Sequence, residues 1–446
     1  MTSKVFKHIR QKTFIPALLN KTGLRRNIKD TQGKIDLAVI KNSESVAIKE
    51  TAAAIKRYFN RTNIKLKGLP SDFINEIAYH YVMRKFYNIE TFNSHNEVLQ
   101  KIKALPVELL SCDKWKDLCY ISIYNGLFQV GFVARGKAVE QAYNKAKHDR
   151  VNLNDLINAF KGALDQGDYK LAGKFLSKIE EKSIEKVQFD GLKLFYQLMK
   201  GEKNNASKQM EQSYTEQDYL FANYLRGKSV AIVGPAPTKE DLASEIDLFG
   251  VVIRLNYRGN EYLPNPKQFG AKLNVSYYNG ERAAAISKGK SYTFFENIDY
   301  AVFKSIKFDF QESLINEGKG RKNFSANDYN FIGTSNMIQN VLADLQFFNP
   351  SKIKLFKINL FLSKVMHHEG YQLNNLDNGP LRFWKNLAVH DPITQFNFTK
   401  NLWKSGQIEV DKSCEDVLRF SPEEYMQKLE KIYVKEPLKI LYENAK

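Results

Sequence analysis

The segment Ser229-Val-Ala-Ile-Val-Gly-Pro constrains the fold of this chain more than any other. Val230 to Val233 is an apolar run of the length of a buried strand, and it runs straight into Gly234-Pro235, a pair that ends regular structure. Without a Cβ, Gly234 lets the backbone of a Gly234-Pro235-Ala236 turn approach a phosphate, with free N–H groups facing it. A second apolar strand, Val251 to Leu255, carries Arg254 and is followed by Asn256, polar groups at a carboxyl end. That edge is where open α/β sheets bind ligands. The pair reads as a nucleotide-binding half-domain. It lacks the three glycines of Gly-x-Gly-x-x-Gly and the Gly-Lys-Ser/Thr of a phosphate-binding P-loop, which argues against NAD, FAD and P-loop chemistry.

Further segments follow in a fixed order. Glu245-Ile246-Asp247 precedes Val252-Ile253-Arg254-Leu255-Asn256; after them come Phe269-Gly270-Ala271-Lys272 and Val275-Ser276-Tyr277-Tyr278-Asn279. Phe331-Ile-Gly333-Thr334-Ser335 then opens a helix-like run before the strand Ile353 to Ile358, and Ala388-Val389-His390-Asp391-Pro392 opens another. Small residues and free N–H groups at Gly333, Thr334 and Ser335 suit an anion or a nucleotide hydroxyl; Thr334 or Ser335 equally suits an N-cap. An imidazole such as His390 suits proton transfer, because its ordinary pKa lies near working pH.

In this order and spacing the residues resemble the sialyltransferases, both the animal-type and the small bacterial families. The likeness covers roughly Lys228 to Gly406. Pro235 departs from it, standing where the animal-type family has an Asn that touches the nucleotide. The resemblance implies an α/β, Rossmann-like glycosyltransferase domain and a CMP-activated acidic keto-sugar donor, sialic acid or Kdo, with a glycan or lipid-linked glycan as acceptor. It implies donor contacts at Gly234, Pro235, Ala236, Arg254, Asn256, Asn279, Gly333, Thr334 and Ser335, with His390 as the general base of an inverting transfer. Retention, known in Kdo transferases that look like relatives of the fold, calls instead for a carboxylate nucleophile; Glu240, Asp241 and Glu281 stand near the proposed edge. No Asp-x-Asp occurs in the chain, which fits a monophosphate donor that needs no bridging metal and no other cofactor. His367-His368-Glu369 does not copy the one-face spacing of a zinc motif, so no metal site is expected there.

With 446 residues, 43% of them hydrophobic and 26% charged, the chain reads as globular and long enough for more than one domain. The formal net charge of +18 implies an anionic partner. Lys4, Lys7, Arg10, Lys12, Lys21, Arg25, Arg26 and Lys29 interleave with Phe6, Ile9, Phe14, Leu18 and Leu19 before the first acidic residue, Asp30. Residues 1–30 are therefore expected to form a basic amphipathic segment, lying on an anionic membrane surface or packed as a helix on their own domain. A nucleic-acid-binding protein with an α/β scaffold is the alternative, but no recognised module appears and the basic residues are spread along the chain, so no nucleic acid is expected. Cys112, Cys119 and Cys414 form neither a zinc spacing nor a disulfide framework and read as small buried hydrophobes of a reducing compartment. No run approaches the roughly 18 apolar residues of a membrane span. The expectation is a bacterial cytoplasmic enzyme, peripheral on the inner face of the inner membrane.

Residues 31–226 show almost only helical periodicity and are expected to form an all-helical accessory domain, including a tetratricopeptide-like hairpin over Leu156 to Ile179 and a helix from Phe189 to Leu198. Residues 227–446 form the Rossmann-like domain, with strands at Val230 to Val233, Val251 to Leu255, Val275 to Tyr278, Ala301 to Phe303 and Ile353 to Ile358. Asn316 to Asn330 and Val365 to Pro380 read as loops over the active edge, and Ser421-Pro-Glu-Glu as the start of a closing helix.

Overall fold

The computed structural model describes residues 70–86, 95–148, 150–182, 184–202, 211–237, 239–259, 264–363 and 387–435, with scattered positions between them, among which is His368. The basic segment 1–30 and most of the expected loop 365–380 lie outside the described residues. The chain divides into two compact units, residues 1–138 and 139–446. Among the described residues no helix is long and apolar enough to cross a membrane.

The first unit is helical: α1 (Ser71–Phe86), α2 (His95–Ala104), α3 (Cys112–Tyr124) and most of α4 (Phe128–Ala146), within which the division falls. Its core holds Phe73, Ile77, Trp115, Leu118 and Phe128. Trp115 is wholly buried, and its indole N–H donates to Val107 O at 2.8 Å. Cys112 and Cys119 are buried and belong to no disulfide, as is true of Cys414 in the second unit.

The second unit opens with the expected hairpin, α5 (Leu153–Gln166) and α6 (Tyr169–Glu180). Gly167 ends α5 in the left-handed region at φ 74°, and the Asp168 carboxylate caps α6 by accepting from Leu171 N at 2.9 Å. Helices α7 (Lys186–Lys200) and α8 (Glu216–Leu225) follow. The hairpin packs on the sheet-bearing part of its own unit: Asn397 Nδ2 donates to Asp165 Oδ2 at 3.0 Å.

A seven-stranded, wholly parallel sheet forms the centre: β1 (Ser229–Val233), β2 (Val251–Leu255), β3 (Val275–Tyr278), β4 (Tyr300–Phe303), β5 (Gly320–Lys322), β6 (Lys352–Phe356) and β7 (Glu409–Val410). The five strands expected from sequence are all present. Their apolar runs are continuous because a parallel sheet is covered on both faces; β2 and β3 are buried at every position. On one face Ala231, Val233, Val252 and Phe356 pack with Ile246 of α9 (Ala243–Asp247) and Phe269 of α10 (Pro266–Phe269). An aromatic cluster, Tyr257, Tyr278, Phe294, Phe295, Phe303 and Phe310, fills the space against α11 (Gly280–Gly289) and α12 (Asp309–Asn316).

Part of the segment 316–330, expected as a loop, is instead built into the sheet. Arg321 of β5 is 3% exposed and pairs in bidentate fashion with Asp344 of α13 (Met337–Phe348), at 2.6 and 3.2 Å. Asp218 of α8 takes the Arg321 Nε hydrogen at 2.9 Å, and the Tyr277 hydroxyl donates to Asp344 at 2.7 Å. Burial opposes the guanidinium charge, but Asp344, Tyr277 and Asp218 together outweigh it and hold Arg321 firmly protonated. The ion group fixes the edge strand to the helices that cover it. Helices α14 (Pro392–Lys404), α15 (Lys412–Leu418) and α16 (Pro422–Glu430) complete the fold, with the expected Ser421–Glu424 capping box opening α16.

Candidate functional site

The strand order β5-β4-β3-β2-β1-β6-β7 reverses direction at β1, whose neighbours are β2 and β6. A crevice outside the carboxyl ends at such a point is where doubly wound sheets bind ligands. The Gly234 turn lies there, but its N–H groups do not face open space: Gly234 N donates to Phe356 O at 2.8 Å and Ala236 N to Lys357 O at 3.0 Å. Pro235 has no N–H, and its carbonyl accepts from His368 N at 2.7 Å. A Cβ on Gly234 would overlap Ile358 Cγ1 and lie 2.6 Å from Lys357 O. Glycine is required here by the approach of Lys357 and Ile358, just past β6, so the anion cradle expected of this turn is corrected to a junction between β1 and the end of β6. The helix after it, α9, has only five residues and starts ten positions after β1 ends.

Arg254 is likewise committed. It is 5% exposed, and its guanidinium donates to Phe269 O at 2.7 Å, Gly270 O at 2.8 Å and Lys272 O at 3.2 Å. Asp247 holds the same loop from the other side, accepting from Ala271 N and Lys272 N at 3.0 Å each. Gly270, at φ 72°, has room for no Cβ, because one would overlap the Asp247 carboxylate. Burial lowers the Arg254 pKa, and Asp247 opposes that shift. Ile246-Asp247, Arg254 and Gly270-Ala271-Lys272 thus lock a loop beside the sheet, with the Arg254 guanidinium turned onto main-chain carbonyls.

The other sequence segments do converge. Gly333, at φ 72°, lies against residues 389–391; a Cβ there would stand 2.8 Å from Val389 O and 3.0 Å from both His390 C and Asp391 N. Thr334 N donates to Val389 O at 2.9 Å. The His390 ring turns back on the same turn, with Nδ1 2.9 Å from Thr334 O and 3.2 Å from Thr334 Oγ1. A carbonyl oxygen only accepts, so Nδ1 carries the hydrogen and Nε2 the lone pair. No described residue bonds Nε2. Burial pushes the imidazole below its ordinary pKa; the Thr334 carbonyl and Glu281 oppose the shift, while Lys304 adds to it. The ring is therefore neutral at pH 7, with Nε2 available as a base.

Around His390 the carboxyl ends of β2, β3 and β4 bring in polar groups. Asn256 sits just past β2 with φ 55°, a left-handed conformation that Asn tolerates, and its Oδ1 accepts from Asn279 N at 3.2 Å. Asn279 caps α11 by accepting from Arg282 N at 2.7 Å, which places Glu281 in the first turn. Lys304 follows β4, and its N–H donates to Tyr278 O at 3.0 Å. Sequence reasoning missed Lys304, although it ends an apolar strand as Asn256 does.

No protein-family model, curated protein or solved structure matches this chain. Ser335 is 1% exposed and is occupied: its N–H donates to Asn327 Oδ1 at 2.8 Å and its Oγ accepts from Asn330 at 3.1 Å. The N-cap of α13 is Asn336, in a capping box with Gln339, and not Thr334 or Ser335. Glu240 and Asp241 are exposed loop residues before α9; the buried Lys357 amine donates to Glu240 O and lies 3.9 Å from its carboxylate. Their surroundings are the β1–β6 junction, whereas Glu281 acts on His390. Among the described residues no group of three or more His, Cys, Asp or Glu could hold a metal ion.

Proposed function

We propose that this chain is a glycosyltransferase that moves an acidic keto-sugar of the sialic acid or Kdo kind from a CMP-activated donor to a hydroxyl of a glycan or lipid-linked glycan, with His390 as general base. The observation that carries the reading is the His390 ring, neutral by burial and fixed through Nδ1 to Thr334 O at the carboxyl edge of a doubly wound sheet. Nε2 takes the acceptor hydroxyl proton as that oxygen attacks the anomeric carbon. The bond from that carbon to the CMP phosphate breaks, and its electron pair leaves with CMP. A monophosphate leaving group needs no diphosphate-bridging metal. Asn256 and Asn279 line the same edge and supply amide groups for the donor. Anchoring through residues 1–30 on an anionic membrane surface would bring a lipid-linked acceptor within reach.

A retaining transfer is the second reading, and one observation favours a particular carboxylate for it. Glu281 is electrostatically coupled to His390, while Glu240 and Asp241 lie beside Lys357. Incubation with CMP-sialic acid and CMP-Kdo in EDTA, with a mixed glycan acceptor and detection of product by mass, tests the proposal. Transfer from either donor supports it. Turnover of UDP-sugars alone, with a need for magnesium, overturns it.

A further inference from the structure

The hydrogen bond that orients the His390 ring has two ends, the main chain of residue 390 and the Thr334 carbonyl that Nδ1 meets at 2.9 Å. Between the ring and α14 the backbone is strained. Asp391 is fully buried with φ 44° and ψ 99°, a conformation that an L-residue seldom takes. Strain of this kind persists only where the surroundings over-determine it, and it gathers at functional sites. Here the Thr394 hydroxyl donates to Asp391 Oδ2 at 2.7 Å, and Gln395 N donates to Asp391 O at 3.3 Å.

One side chain spans the two ends. Gln395, 1% exposed near the start of α14, donates from Nε2 to His390 O at 3.1 Å and accepts at Oε1 from Asn336 Nδ2. Asn336 lies two residues after Thr334. Its Oδ1 is taken by Gln339 N at 2.9 Å, which leaves Nδ2 for Gln395; His390 O only accepts, so Nε2 of Gln395 must face it. The partners therefore fix both amide orientations. A second link runs alongside, with Gln339 Nε2 donating to Thr394 O at 3.2 Å. The capping box of α13 is complete within Asn336 and Gln339, so neither side-chain bond of Gln395 is needed to cap that helix. What the two bonds do together is set the distance between residue 390 and the segment that carries Thr334. We infer that Gln395, backed by Asn336, is a positioning residue for His390: it holds the separation at which Nδ1 donates to Thr334 O, and so keeps Nε2 free of hydrogen. Which imidazole nitrogen carries the hydrogen is set by the bond its partner nitrogen makes. That the ring then serves as the base of a sugar transfer rests on the proposed function; that Gln395 sets its tautomer does not.

Histidine-selective nitrogen-15 labelling of the full chain, with long-range proton–nitrogen NMR spectra, reads the tautomer of each ring and needs no turnover. The chain has 7 histidines, and the signals lost in His390→Gln identify those of residue 390. At a pH where the ring is neutral, the wild type should show hydrogen on Nδ1 and none on Nε2. Two variants cut the link from opposite sides. Gln395→Met removes both side-chain bonds, whereas Asn336→Ser keeps an oxygen able to cap α13 and removes only the amide donor. Both should move the His390 signals toward a mixture that contains the Nε2–H form. In transfer assays both should lower kcat by up to about 10²-fold with KM near the wild-type value, as expected of a misplaced catalytic group. Shifted tautomers in the variants, in a protein whose wild type transfers no CMP-activated sugar, would keep the positioning role and remove the proposed function. Hydrogen on Nε2 in the wild type overturns the inference. So does wild-type His390 signals in either variant when folded, even if it is less stable in urea, because that is the result of packing alone.

Discussion

Gly333→Ala should destabilise the chain by an amount that can be separated into two parts. The left-handed φ of 72° costs an L-residue roughly 1–2 kcal/mol. In addition, the new Cβ meets only backbone, Val389 O at 2.8 Å, His390 C at 3.0 Å and Asp391 N at 3.0 Å. Backbone does not swing aside as a side-chain end does, so an overpacking cost of about 1–3 kcal/mol is added. Gly406 supplies the control: its φ is 70° and a Cβ there would meet nothing within 4 Å, so Gly406→Ala carries the conformational cost alone. Urea unfolding of the two variants, followed by circular dichroism at matched slopes, should show Gly333→Ala less stable than Gly406→Ala by about 1–3 kcal/mol. Because the displaced backbone carries His390, transfer should fall in the folded Gly333→Ala protein and stay unchanged in Gly406→Ala. Equal stability losses in the two variants would refute the close packing of the 333–335 turn on residues 389–391.

Three further outcomes follow from the same contacts. Gly234→Ala should lose about 1–3 kcal/mol of stability in urea without any ligand present, because Lys357 and Ile358, just past β6, occupy the Cβ position; normal stability with weakened CMP binding would return this glycine to a phosphate-binding role. Asp344→Ala should cost roughly 3–5 kcal/mol by leaving Arg321 charged and buried; a loss under about 1 kcal/mol in the same urea assay would show the ion group to be dispensable. Since the folded His390 pKa is depressed by burial, the unfolded chain binds more protons below about pH 6.5, and stability should fall as pH drops through that value toward the lower folded pKa. His390→Gln should flatten this slope in paired urea titrations, and identical slopes in the two proteins would contradict it.

Much of the scaffold was legible in the sequence because buried parallel strands are written as uninterrupted apolar runs, as in Val230 to Val233 and Val251 to Leu255. The edge strands escaped: Gly320–Lys322 and Glu409–Val410 are two or three residues long and polar, and Arg321 is buried only because Asp344 and Asp218 reach it from helices far away in sequence. The candidate site was legible as a set of segments and not as a set of roles. Gly333, Thr334 and His390 do meet, yet Gly234 and Arg254, which have the same residue types as ligand-binding groups, bond to the main chain of β6 and of residues 269–272. A glycine that admits a phosphate and one that admits a neighbouring strand look the same in a sequence; the partner at the Cβ position decides between them.

The most direct test of the central claim is turnover by His390→Ala with a CMP-activated acidic sugar in EDTA, beside its affinity for CMP measured by calorimetry. Nε2 is assigned to the acceptor proton and not to the nucleotide, so turnover should fall roughly 10²- to 10⁴-fold while CMP affinity stays near that of the wild type. Full turnover in a folded His390→Ala protein would contradict the assignment and move the chemistry to Glu281.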